Sequence, residues 1–214
     1  MMAAETKIAG KKTVADWQKL KATLVVGGDS GPWESAFEDF FHERLRTRYL
    51  APIEVLRHIP DKNGEGFSIV AIQCSLIEFL GSTLQGKCYR HSSELKGEKP
   101  GEHEYCDSKD MFVAFLASAV PFKSTFSRRL AREFYTGVRC GLLHEARTKN
   151  GWTITVRSGL SSIVDVSNPK NKIVHRDNLQ IAFHEFLAWY GDELPADRML
   201  QEAFIRKFDS LCEH

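Results

Sequence analysis

A mainly α fold, with a small antiparallel β-meander late in the chain and a closing pair of helices, follows from three features of the 214-residue sequence. Apolar residues recur at helical spacing through the first two thirds, which aligns them along one side of a rod with about 3.6 residues per turn. β-Branched residues then cluster after Gly151, in "WTITVR", "SSIVDV" and "KIVHR". From Asp177 the helical spacing returns and runs to the end. A composition of 43% hydrophobic and 27% charged residues excludes a disordered chain and supplies a sizeable core. One domain is expected: a helical bundle over 1–150, the meander over 151–176 and the C-terminal helices over 177–214.

Each element has a local reason. "TVADWQKLKATL" predicts a short helix, stopped by the glycine-rich stretch 27–31. From Trp33, with Asp29 or Ser30 as cap, helical spacing continues to Ile59, and Pro52 should kink or split the rod because it has no N–H to donate. "PDKNGEG" reads as a loop. Phe67 to Leu84 is apolar nearly all round, which places it at the centre of the bundle. Its most apolar part, Phe67 to Leu80, contains Gln73 and Glu78 and falls short of the about 20 residues that span a bilayer, so a buried core helix and no membrane association are expected. The first residues hold no apolar stretch of signal-peptide length. Five scattered cysteines make no disulfide framework, and a reducing, cytoplasmic setting is expected.

Gln85 to Cys106 is long and polar, so it is either a mobile surface loop or a segment held by something other than a core. "CYRH" and "HEYC" set Cys88, His91, His103 and Cys106 around an eleven-residue insert, close to structural zinc spacing but in a mirror-image order. Coincidence among eight histidines is the competing account, and no metal or other cofactor is expected. Asp107 and Ser108 cap "KDMFVAFLAS", which stops at Pro121; Ser124 or Ser127 starts "RRLAREFYTGVRCGLLHEART", which should end at the "KNG" turn, Lys149 to Gly151. The three strands are separated by "SGLS" and "SNPKN". Asp177 caps a helix through Tyr190, and the last helix runs from about Ala196 to Leu211.

Within the helix ending at "KNG", "VRCGLLHEA" sets Arg139 and His144 five apart. On a wheel of about 100° per residue, Arg139 falls in the middle of an apolar stripe made by Tyr135, Leu142, Leu143 and Ala146. Gly137, Cys140, Gly141 and His144 form a second face almost bare of side-chain bulk. Each interior glycine weakens a helix by about 1 kcal/mol against alanine, so the notch should receive a close neighbour: another helix, a second copy of this one, or a polynucleotide strand. A core-facing arginine needs a partner, and Glu78, stranded in "SLIEFL", is the candidate; an internal ion pair of that kind would account for Arg139 by structure alone. Charge is also concentrated here: seven Lys or Arg against two Glu between Lys123 and Lys149, in a chain whose net charge is +1. The bland account of that charge is a solvated helix face.

"RCGLLH" fits the R-x(4–6)-H signature of the HEPN superfamily, helical-bundle proteins many of which are metal-independent ribonucleases of toxin, defence and RNA-processing systems. Trp33 to Leu84 and Lys109 to Arg147 resemble the HEPN bundle, and "GEGFSIVAIQCSLIEFL" and "FYTGVRCGLLHEARTKNGW" resemble bacterial proteins of that type. The resemblance implies a homodimer with RNA as substrate, Arg139 and His144 as the catalytic pair at the two-fold interface, and an antitoxin or other protein as a further partner. Arg132, Arg147 and Lys149, in the same basic segment, are the expected RNA contacts. The family often has Asn, Asp or His directly after the arginine; here that position is Cys140, which puts activity more than fold in question. The alternative is a non-catalytic module that binds RNA, nucleotide or a protein partner.

The chemistry suits these residues on its own terms. An RNA 2′-hydroxyl can attack its neighbouring phosphate once protons are moved and charge is stabilised. Imidazole does the first, and guanidinium, bidentate on phosphate oxygens, does the second. Residues five apart diverge by about 140° on one helix, so two copies of the helix are needed to bring both groups to one phosphate. Two other arrangements are weaker. Cys140 and His144 share a face as a conceivable thiolate dyad, but lack an orienting third group. His184 beside Glu185 lacks the second histidine of a zinc protease and reads as a solvated face over core packing. No glycine-rich phosphate loop is present.

Overall fold

The computed structural model describes residues 6–60, 63–156 and 162–213. The expected "SGLS" turn, and Asp61 and Lys62 of the "PDKNGEG" loop, lie outside the described residues. In chain order the elements are β1 (Lys7–Ala9), β2 (Lys12–Thr13), α1 (Val14–Lys21), α2 (residues 30–57), α3 (Glu65–Gln85), β3 (Cys88–Tyr89), β4 (Glu104–Tyr105), α4 (Ser108–Ser118), a 3-10 turn (Phe122–Ser124), α5 (residues 128–145), β5 (Trp152–Thr155), β6 (Val164–Asp165), β7 (Lys172–His175), α6 (Arg176–Glu193) and α7 (Arg198–Ser210). The protein is mainly α.

Two helices depart from simple α geometry. In α2, α turns (Ser30–Ala36, Glu43–Leu45, Ala51–Arg57) alternate with π turns (Phe37–His42, Arg46–Leu50). Of the kink or split expected at Pro52, the split does not occur: a widened turn ends just before it, shifting the hydrogen-bond register where proline has no N–H to give. Asp29 occupies the N-cap position of α2 without a side-chain capping bond. Similarly, α5 runs as Arg128–Phe134, a π turn at Tyr135–Arg139, then Cys140–Glu145. Ser127 is its cap, accepting from the Leu130 N–H at 3.2 Å. The helix stops before the expected "KNG" because Ala146 turns left-handed (φ 52°), and the Ala146 and Arg147 N–H groups both reach the Gly141 carbonyl.

The helix α3 is longer than predicted: its 21 residues are long and apolar enough to cross a bilayer. Of the apolar window, 56% is buried inside the fold, Gln73 included, so α3 serves as a core helix.

The chain forms two compact units, neither continuous in sequence. The first comprises Met1–Ala51, Leu80–Asp107 and Ala188–His214. Trp17 is its hub, fully buried, with ring centroids 5.5 Å from Phe40 and 5.1 Å from Phe208. The Trp17 indole N–H donates to Asp209 Oδ1 at 3.0 Å, and Asp209 Oδ2 takes Lys21 Nζ at 2.6 Å, pinning α1 to α7. Here, too, lies the long polar loop. Short parallel strands β3 and β4 hold it, with Cys88 N–H to His103 O at 3.0 Å, Arg90 N–H to Tyr105 O at 2.9 Å, and Arg90 Nε to Glu104 at 2.7 Å. That register sets Cys88 against Glu104, so the four thiol and imidazole groups do not gather; among the described residues no three His, Cys, Asp or Glu side chains form a metal-holding group.

The second unit comprises Pro52–Phe79 and Ser108–Leu187. Its core is phenylalanine-rich: Phe115 lies 5.1 Å from Phe186, and Phe122 lies 5.3 Å from Phe183. Its sheet corrects the expected antiparallel meander. The order is β5-β7-β6, with β7 antiparallel to β6 and parallel to β5, Trp152 facing Lys172 and Thr155 facing His175. Alternation sets which residues face in, but not which strand pairs with which; here the last strand inserts between the first two. "SNPKN" is the expected turn, with Asn168 Oδ1 accepting from the Lys170 N–H at 3.0 Å. Lys172 reaches Glu133 of α5 at 2.8 Å, tying sheet to helix.

At the end of β7, His175 is buried, with Nδ1 at 2.9 Å from Thr155 Oγ1 and Asp165 on the neighbouring strand. Burial pulls its pKa below the ordinary 6.5, and the Asp165 charge only partly offsets this. A base with a depressed folded-state pKa is protonated more readily when unfolded, so this contribution is present above 6.5 and declines as pH falls below that value. Urea denaturation should therefore show a larger stability loss between pH 7.5 and pH 5.5 for wild type than for His175→Gln; equal losses would refute it.

Candidate functional site

The site is built on the second half of α5 and the loop that follows. Its buried stripe is Phe134, Gly137, Val138, Gly141 and Leu142. This corrects the wheel, which placed Arg139 amid core residues: Leu143 is 49% exposed and Ala146 is also exposed. These residues keep ordinary helical spacing, and the face with least side-chain bulk turns inward because something fills it.

The filler is the chain's own return loop. A Cβ on Gly137 would lie 2.4 Å from Trp152 Cδ1, and one on Gly141 would lie 2.4 Å from the Arg147 carbonyl oxygen. The Lys149 N–H also donates to the Gly137 carbonyl at 2.7 Å. Asn150 and Gly151 then reverse the chain with φ of 55° and 76°, closing a turn from Lys149 O to the Trp152 N–H at 3.1 Å. Neither a second helix nor a polynucleotide enters that notch; residues 147–152 occupy it.

Arg139 meets the partner expected for it. One terminal nitrogen is 3.8 Å from Glu78 Oε2, with the two side chains 19% and 20% exposed, and the guanidinium carbon sits 5.2 Å from the Tyr135 ring centroid. At that range the pair is ionic contact rather than a hydrogen bond. Arg139 makes no side-chain hydrogen bond among the described residues, so its N–H donors stay available while charge and ring fix its direction. Burial raises the Tyr135 phenol above its usual pKa, the Arg139 charge acting against it. Beneath, Cys74 is fully buried and its thiol is pushed up to about 12, which keeps it protonated.

His144 is exposed in the last turn of α5, in no hydrogen bond or ion pair among the described residues. Cys140 is half-buried and makes no hydrogen bond to His144, so a thiolate dyad is not assembled. Arg132 is exposed two turns before Arg139. Arg147 and Lys149 converge on Glu145: Arg147 at 2.9 Å through Oε2, Lys149 in close contact through Oε1. They hold the Glu145 carboxyl below its usual range, Lys149 contributing most. Residues 147–151 line a shallow cleft of about 400 Å³. His184 bonds to Gln180 at 3.3 Å, while Phe183 and Phe186 beside it are buried, the core-facing pattern expected of that helix.

Two features had no signal in the sequence. One is the π turn itself. The other is a buried ion pair, Arg176 to Glu65 at 2.7 Å with side chains 3% and 6% exposed, since Arg176 follows a strand and Glu65 starts a distant helix. No family model, no curated protein and no solved structure matches the chain.

Proposed function

We propose that the chain is a metal-independent endoribonuclease of the HEPN type, acting as a homodimer in a toxin, defence or stress system with a neutralising protein partner. The observation that carries this reading is Arg139: held in place by Glu78 and Tyr135, with no side-chain hydrogen bond committed among the described residues. A guanidinium held this way binds phosphate oxygens without reorganising as charge develops on them. His144, exposed and five residues on, is the proton carrier. The 2′-oxygen bonds to phosphorus as the bond to the 5′-oxygen breaks. The proton leaving the 2′-hydroxyl is balanced by one delivered to the departing 5′-oxygen, giving a 2′,3′-cyclic phosphate and a 5′-hydroxyl. Arg132, Arg147 and Lys149 hold flanking phosphates. The Glu145 contacts oppose this only weakly, because water screens pairs this exposed and an RNA phosphate can replace the carboxylate.

Two copies are needed, since Arg139 and His144 diverge around one helix; Leu143, apolar and exposed between them, favours a face that pairs. The alternative, a non-catalytic HEPN-like module binding RNA, nucleotide or protein, is favoured by Cys140 in the place where the family often has a polar residue. Incubation with mixed RNA in EDTA separates the two. Wild type is expected to yield cyclic-phosphate and 5′-hydroxyl ends, and Arg139→Ala and His144→Ala each to slow cleavage by about 10²–10⁴ with the sedimentation coefficient unchanged. RNA that is bound and left intact would establish the module instead.

A further inference from the structure

A cleft of about 310 Å³ lies along α6 in the second unit, and the ribonuclease reading makes no use of it. One wall is a single face of α6, positions 178, 181, 182 and 185; the other is the turn 121–125, with Ile163 between. The floor is apolar and covered, Ile163 being 5% and Ala182 3% exposed, while Ile181 at the rim is 53% exposed.

The polar groups divide sharply. Ser124 spends its hydroxyl hydrogen on the Pro121 carbonyl at 2.7 Å, and the Asn178 amide donates to Ser162 O at 2.7 Å. Glu185 is exposed and makes no ion pair or hydrogen bond among the described residues, and the Thr125 hydroxyl is likewise uncommitted. What the cleft offers a visitor is therefore a free carboxylate and a hydroxyl oxygen above an aliphatic floor. A cation on a short hydrocarbon body satisfies both: an ammonium has three donors and no acceptor, and its methylenes can cover the isoleucines. An anion meets Glu185 and is repelled. The volume lies at the lower end of the range for small-molecule pockets, about 300–1,000 Å³, which favours a short chain.

We infer that this cleft is a binding site for a small aliphatic amine, its ammonium held by Glu185 and Thr125 and its chain laid on Ile163, Ile181 and Ala182. The inference is independent of RNA cleavage. The test is an amide NMR titration of the full chain with n-butylammonium, n-butanol and butyrate. Saturable shifts are expected around residues 124, 125, 182 and 185 with n-butylammonium, weaker ones with n-butanol and none with butyrate. Glu185→Gln should weaken n-butylammonium binding by about fivefold, the upper range for an exposed ion pair, with the remaining spectrum and any RNA cleavage unchanged. Equal response to the three probes, no response to n-butylammonium, or unchanged affinity in Glu185→Gln would overturn it. Tighter binding of Nα-acetyl-lysine methylamide than of n-butylammonium would also overturn it, in favour of a partner protein's lysine side chain.

Discussion

Arg176→Ala is expected to cost about 3–5 kcal/mol of stability, because it takes the close cationic partner from a carboxylate that is 6% exposed; Glu65→Ala should cost less, since Asp177 Oδ1, 3.7 Å from Arg176 Nε, still faces the guanidinium. The two groups meet at 2.7 Å with side chains 3% and 6% exposed, joining the first turn of α3 to the first turn of α6. Around them the Gln73 amide donates to the Arg176 carbonyl at 3.1 Å and to Gln180 at 3.0 Å. The first of these bonds uses only the arginine's backbone and the second does not involve it, so both survive its replacement and the loss reports on the side-chain charges. Glu65→Leu combined with Arg176→Met removes both charges at similar volume, and should lie much closer to wild type than either alanine variant. Urea denaturation of the four proteins measures this; a double variant as unstable as the sum of the singles would show that the pair itself stabilises the fold.

Trp152→Ala should cost about 3–5 kcal/mol, the usual range for deleting a buried aromatic. Trp152 is 3% exposed, packs edge-on to Phe134 at 5.5 Å and covers Gly137. From the other side of the contact, Gly137→Ala should cost about 1–3 kcal/mol, since its methyl would meet Trp152 Cδ1 at 2.4 Å. The two changes share a space, so the double variant should be more stable than additivity predicts. Trp152→Phe should be the mildest, because the buried indole N–H has no hydrogen-bond partner among the described residues. Strict additivity of Gly137→Ala and Trp152→Ala would mean that ring and notch are not in contact. Because the same ring anchors the loop carrying Arg147 and Lys149, the ribonuclease proposal further predicts that Trp152→Ala weakens RNA binding at temperatures where the chain remains folded.

What was legible in the sequence was whatever depends on neighbours along the chain. Ser127 caps α5 and Asn150-Gly151 turns the chain because those signals act over two or three residues. The central helix announced itself by apolar content, and the isolation of Glu78 within it was enough to pair it with Arg139. The wheel failed on α5 for a physical reason: it gave the core to the bulkier apolar side chains, whereas the bare face at Gly137 and Gly141 packs inward against the returning chain. It also treated two glycines as an opening for an outside partner, when the chain that leaves the helix is the nearest candidate to fill them.

The mainly α class, the order of the helices, the late β-rich insert and the residue types gathered on "VRCGLLHEA" are all written along the chain. Each follows from periodicity, capping and turn chemistry, which are local. That β7 lies between β5 and β6, that Arg176 finds Glu65, and that residues 147–152 close the glycine notch emerge only on folding. Those are contacts between segments far apart or doubling back. Pattern fixes which surfaces must be covered, whereas the covering partner is chosen by fit and charge in three dimensions.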